Sequence, residues 1–252
     1  LHFLSLVGLA FANTSFSVFL LFSLLSAAAS LIWISMDIFV EEFSDDASTG
    51  RTRATYFTFI NLGWIFAPSI AGFLVGEGNY RLAFIGAAAV LVPFYLVFAR
   101  QSRNLRDGIK YQDKTVIQTG KYIWAHHNLR GIFFIALLLN LFYSIAVVYV
   151  PIYLHQTMGF SWATMGWMFS LMLIPFIIFE IPAGILADKY IGEKELLALG
   201  FSILIIALGL FFFLDSKNPW LWAAVLFFSR IGASIVEAMR ESFFFKNVDA
   251  KE

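Results

Sequence analysis

The chain has 252 residues, of which 60% are hydrophobic and 13% charged, and its formal net charge is zero. A soluble globular domain carries about 25% charged residues, and a chain this size needs a large wetted surface, so a wholly aqueous environment is excluded and lipid is the simplest solvent. Zero net charge removes any global pull toward nucleic acid, and the absence of cysteine removes disulfides and thiolate chemistry.

The chain opens inside an apolar run, Leu1 to Ala12. That run is shorter than the roughly 20 residues needed to cross about 30 Å of hydrocarbon. No basic stretch with a short apolar core and a cleavage site stands there, so it does not read as a signal peptide. It reads instead as a partial span, which makes the chain an internal piece of a longer protein. Seven further apolar stretches follow, at 15–40, 56–76, 82–99, 131–153, 162–187, 195–214 and 218–239. Barrel strands would be about 10 residues long and alternate apolar with polar. Runs such as Ile132 to Leu139 do not alternate, so an all-α polytopic membrane protein with about eight transmembrane segments is expected.

Lys and Arg fall unevenly between the segments. One alternate set of connections holds Arg51, Arg53, Arg100, Arg103, Arg106, Lys110, Lys114, Lys121, Arg130, Lys189, Lys194, Arg240, Lys246 and Lys251, against Arg81 and Lys217 in the other. Basic loops stay in the cytoplasm, so the first set is expected there, in a bacterial inner (plasma) membrane. The longest connection, 100–130, is basic and includes Tyr111, Tyr122 and Trp124, which suit a surface helix at the lipid interface. It divides the chain into an N-terminal half, 1–99, and a C-terminal half, 131–252, the organisation of a transporter built from repeated halves.

Between the sixth and seventh segments lies Gly184-Ile-Leu-Ala-Asp188-Lys189-Tyr-Ile-Gly192-Glu193-Lys194. It resembles the loop signature of the major facilitator superfamily, Gly-x-x-x-Asp-Arg/Lys-x-Gly-Arg/Lys-Arg/Lys, with one extra residue before Gly192 and Glu193 where a base is usual. Glu180-Ile-Pro-Ala-Gly184 is similar to the run that leads into that loop. In the third segment, Ala54 and then Gly63, Ala67, Pro68, Ala71 and Gly72 resemble the antiporter-associated pattern Gly-x8-Gly-x3-Gly-Pro-x2-Gly-Gly, with Ala replacing Gly three times. Such small residues serve helix packing, and Pro68 bends the helix. The resemblance implies pseudo-symmetric helical halves and places the eight segments at helices 3 to 10 of twelve, with the outer pairs missing, so that the piece alone is not expected to transport.

The same resemblance makes Asp188 a gating residue, its partners being the start of the third segment near Arg53 to Tyr56, and Arg240. A solvated loop charge is the plainer alternative. Glu180 shares a helix face with Gly184 and Asp188 at steps of four and lies in an apolar run, so it is a candidate proton site or a structural acceptor. Arg230 and Glu237 share a face of the last segment about two turns apart. Arg230 is the one base set well inside a span, where it could hold an anionic solute or pair with a carboxylate. Asp37 resembles these but has Glu41 one turn on. Asn140, Tyr143 and Ser144 share a face of the fifth segment, where they could bind a solute or join helices; Asn61 and Trp64 on the third segment are weaker candidates. The many phenylalanines are expected to face lipid rather than a cofactor.

His126-His127 has no further ligand at metal spacing, and no phosphate-binding Gly-rich loop or Ser-His-Asp arrangement is present in the sequence. No metal and no cofactor are expected. The reading is a secondary active transporter moving a small solute by alternating access, driven by an ion gradient, with protons the expected ion, or by the solute gradient alone, and with the bilayer and solute as partners. A non-transporting receptor of the same fold and a polytopic membrane enzyme are the alternatives.

Overall fold

A peptide group in hydrocarbon finds no water, so each segment must pair its own backbone. In the computed structural model the apolar runs accordingly form helices, and no strand occurs among the described residues, which are 1–42, 49–76, 78–101 and 115–247. Arg103, Arg106, Lys110, Tyr111, Lys114 and Lys251 fall outside them, as do the side chains of Asp37, Glu41, Arg51, Arg53, Ala54, Asp188 and Lys246. Among the described residues seven helical stretches are long and apolar enough to cross a membrane: Ser15–Met36, Thr58–Val75, Tyr80–Arg100, His127–Gln156, Trp162–Ile191, Glu193–Phe213 and Pro219–Phe244. The chain divides into two compact units, Leu1–Ile109 and Lys110–Glu252.

The first unit holds α1 (His2–Phe11), α2 (Ser15–Glu42), α3 (Thr49–Val75) and α4 (Tyr80–Gln101). The short α1 buries Ser5, Leu6, Leu9 and Ala10, two adjoining rows of one face, against α2 and α4. The last carbonyls of a helix have no partner of their own. Arg81 meets that need from the start of α4. Its Nε donates to the Ala10 carbonyl at 3.0 Å, and its guanidinium lies 5.2 Å from the Phe11 ring centre. A cation at a helix C-terminus also opposes the dipole. Arg81 is therefore a structural clamp. At the other end of the turn, Thr14 and Ser17 exchange backbone-to-side-chain bonds of 3.2 and 3.3 Å and so cap α2. α3 ends at Gly76, whose φ of +51° is the left-handed turn that stops a helix.

The second unit holds α5 (Val116–Ala125), α6 (His127–Gln156), α7 (Trp162–Leu171), α8 (Ile174–Leu186), a π-helical turn (Ala187–Ile191), α9 (Glu193–Phe213) and α10 (Pro219–Asn247). The apolar stretch 162–187 is not one unbroken helix. Pro175 has no N–H to continue the ladder, and the chain passes Met172 and Leu173 with tighter bonds, Leu173 N–H to Ser170 O and Phe176 N–H to Leu173 O. The long Phe side chains stand outward, Phe73, Phe212 and Phe213 among them, each about four-fifths exposed.

α10 is the hub of this unit. It packs on α6, α7, α8 and α9, and 56% of its spanning window is enclosed, against 28% for α9 and less for the rest. A polar group hidden from lipid is therefore best placed on α10. Its tightest neighbour is α9. A Cβ built on Gly232 would stand 2.7 Å from the Gly200 carbonyl oxygen, and one on Gly200 would meet Val236 at 2.7 Å. Helices in lipid gain nothing by expelling water from between them and pack through such close backbone approach.

Candidate functional site

The site grows from the polar stripe on α10. Arg230, Ser234, Glu237 and Glu241 follow one another at steps of four, three and four, which keeps them on one helical face. The stripe runs from the middle of the span, where Arg230 and Ser234 are buried, to its end, where the Glu241 side chain is 60% exposed. Ser229 and Ser234 bond back to their own helix, to Leu226 O and Ile231 O, and offer Arg230 nothing.

Arg230 is 2% exposed, and its Nε and Nη1 are buried with no hydrogen-bond partner among the described residues. Its guanidinium carbon lies 5.4 Å from the ring centres of both Phe142 and Tyr143, successive residues of α6. A cation over a desolvated ring gains about 2 kcal/mol, and placing Arg at a helix centre in a bilayer costs roughly 2.5–3.5 kcal/mol. Two rings thus offset much of that cost, and Glu237 lies within electrostatic reach of the guanidinium. The rings do not satisfy its directional N–H donors. The Tyr143 hydroxyl is engaged instead with Glu237, donating to its Oε2 at 2.8 Å. Phe176 of α8 closes the aromatic wall, its ring centre 6.5 Å from that of Tyr143.

Glu180, half-buried on α8, has no hydrogen bond among the described residues and lies within electrostatic reach of Glu237 and Glu241. Tyr143, Arg230 and Glu237 are thus brought together, with Glu180 beside them. Asn140 is exposed, and its amide donates to Ala136 O at 2.8 Å; Ser144 does the same to Asn140 O. Arg240 pairs at 3.3 Å with its neighbour Glu241, an exposed contact of little energy. In α3, Gly63 and Ala67 are exposed, Pro68 is partly buried, and Gly72 is buried. Asp37 lies on α2, its side chain outside the described residues. Sequence reasoning missed Phe142, Phe176 and Ser234. Only Ser234 left a signal, its place on the stripe.

The loop motif occupies the junction of α8 and α9. Gly184 is on α8, Asp188 and exposed Lys189 are in the π turn, and Gly192 N–H closes that turn on Ala187 O at 3.1 Å. A π turn spans one residue more than an α turn, so it takes up the extra residue before Gly192. Gly192 adopts φ +97°, ψ 157°, a region closed to other residues, and a Cβ there would sit 2.8 Å from Glu195 Oε2. Lys194 then lies 5.9 Å from the Phe243 ring centre, and Ser242 donates to Glu193 Oε1 at 3.4 Å, two contacts between α9 and the end of α10. Gly192→Ala is expected to cost about 1–3 kcal/mol of backbone strain. Protease cleavage between residues 188 and 193 of the folded protein should quicken accordingly; an unchanged rate would show that the turn relaxes freely.

Spanning helices that carry ionisable side chains turned in among their neighbours define an integral membrane protein with a polar interior. The chain belongs to the Major Facilitator Superfamily, whose sequence pattern it matches over residues 2–252 and whose members are transporters. No curated protein matches the chain.

Proposed function

We propose that this chain forms part of a secondary active transporter that moves a small anionic solute by alternating access, coupled to protons. The observation that carries the reading is Arg230: a buried guanidinium whose Nε and Nη1 are unmet and which has no carboxylate within ion-pair distance among the described residues. Such a group is built to receive something bearing a negative charge, since an unfilled donor in a dry site costs about 1–3 kcal/mol. Glu180 stands beside it as the proton carrier, with Tyr143 and Glu237 completing the polar site. On this reading 1–99 and 131–252 are the two halves, corresponding to helices 3–6 and 7–10 of twelve. The 100–130 linker faces the cytoplasm of a bacterial inner membrane. Asp188, with Lys189, Lys194 and Arg240, controls closure on that side.

Two measurements test the proposal. Small carboxylates and phosphate esters, compared with chloride at fixed ionic strength, should raise the unfolding temperature of the solubilised protein; if none does, the anion reading fails. Glu180→Gln in the transport-competent protein should abolish accumulation driven by a proton gradient while sparing solute exchange at equal pH. Intact gradient-driven uptake would remove Glu180 from the proton path.

A further inference from the structure

α5 has a role that transport chemistry does not use. At 100° per residue, Ile117, Gly120, Ile123 and Trp124 fall on one face, and Gln118, Thr119, Lys121 and Tyr122 on the rest. Its start is fixed locally by a capping box between Thr115 and Gln118, so the helix needs no protein partner to begin. Its apolar face is open: Ile117 is 72% and Trp124 58% exposed.

The neighbouring span fixes its depth. α6 has 30 residues, about 45 Å at 1.5 Å per residue, and hydrocarbon is about 30 Å thick. The first turns of α6 therefore stand among headgroups. α5 is joined to α6 through the single extended residue His126 and shares that level. Trp124 leans along the span, 6.1 Å from Phe134, which lies two turns into α6 and is itself 46% exposed. The open face of α5 thus continues the lipid-facing surface of α6. Exposed Lys121 borders it, and Arg130 sits in the first turn of α6. Through 100–130 the sequence carries Arg100, Arg103, Arg106, Lys110, Lys114, Lys121 and Arg130 against Asp107 and Asp113. Each base near an anionic leaflet is worth about 1 kcal/mol.

We propose that α5 lies in the plane of the membrane interface and binds anionic phospholipid, with Ile117 and Trp124 at the acyl boundary and Lys121 and Arg130 on headgroup phosphates. The cysteine-free chain permits a direct test. Ile117→Cys and Gln118→Cys, made singly in the full chain, are nitroxide-labelled and reconstituted in discs of phosphatidylcholine with or without phosphatidylglycerol. The label at 117 should be relaxed preferentially by oxygen and that at 118 by a water-soluble nickel chelate. The contrast should rise several-fold with phosphatidylglycerol and lose that rise in Lys121→Glu. Equal exposure of both labels to the chelate puts α5 in water, and shielding of both from both reagents puts it against protein. Either result, or indifference to phosphatidylglycerol, overturns the proposal.

Discussion

Replacing Arg230 by methionine should weaken anion binding about thirtyfold or more while raising the protein's own resistance to unfolding. The two effects separate because they come from different parts of the side chain. Removing one partner of a buried charged contact costs about 2–5 kcal/mol of binding, and Arg230 is the one buried cation on the α10 stripe. Its buried charge and unmet Nε and Nη1 burden the unliganded fold. Exchange of buried charge for an apolar side chain of similar length stabilises proteins by about 1–4 kcal/mol in favourable cases. Methionine keeps contact with the Phe142 and Tyr143 rings through its sulfur. Arg230→Lys keeps the charge but loses the planar fork and should bind carboxylates with intermediate strength. Thermal unfolding with and without small carboxylates reads all three proteins. A methionine variant that melts earlier and still responds to anions would show that Arg230 only holds helices together.

Gly232→Val should destabilise the second unit more than any other single substitution between α9 and α10. The new side chain meets the Gly200 carbonyl at 2.7 Å and Ile203 at 2.9 Å, and a backbone carbonyl cannot swing aside as a side chain can. Overpacking costs typically about 1–3 kcal/mol, and a backbone clash belongs at or above the top of that range. Gly200→Val opposes the same contact, so the double variant should cost less than the sum of the two. Gly209→Ala on the same α9 provides the control. Nothing stands within 4 Å of its added Cβ, and Ala favours a helix over Gly by about 1 kcal/mol. Fluorescence of the solubilised protein follows unfolding through Trp222, which is 1% exposed and anchored by a 2.7 Å bond to Ser216 O. Equal midpoints for Gly232→Val and Gly209→Ala would show that the two backbones separate at little cost.

The spans were legible because lipid imposes one rule on every residue of a segment. The stretch 195–214 became Glu193–Phe213, and 15–40 became Ser15–Glu42. Helices outran the apolar windows where polar residues extend them, as α6 does by starting at His127 rather than 131. The interruption of 162–187 had its mark in Pro175, which one apolar window averages away. Arg230 and Glu237 were legible as polar exceptions on one helical face. What joins them was not: Tyr143 is 94 residues from Glu237, and its own face suggested Asn140 and Ser144 as companions. Steps of four grouped Glu180 with Gly184 and Asp188, while among the described residues Glu237 and Glu241 of α10 lie within its electrostatic reach. The Gly200–Gly232 contact was hidden because glycines in apolar runs look alike until one knows which helices cross.

The wide turn at Ala187–Ile191 works as a length buffer. Left inside an α-helix, one added residue rotates everything beyond it by about 100°. Applied to α9, that rotation would carry Gly200 off Gly232 and break the close backbone approach of α9 and α10. The surplus residue is instead absorbed within five residues, and Gly192 starts α9 in a fixed register. The junction can therefore differ in length by one between related chains without disturbing the bundle on either side, an indel tolerance confined to the segment that carries Asp188.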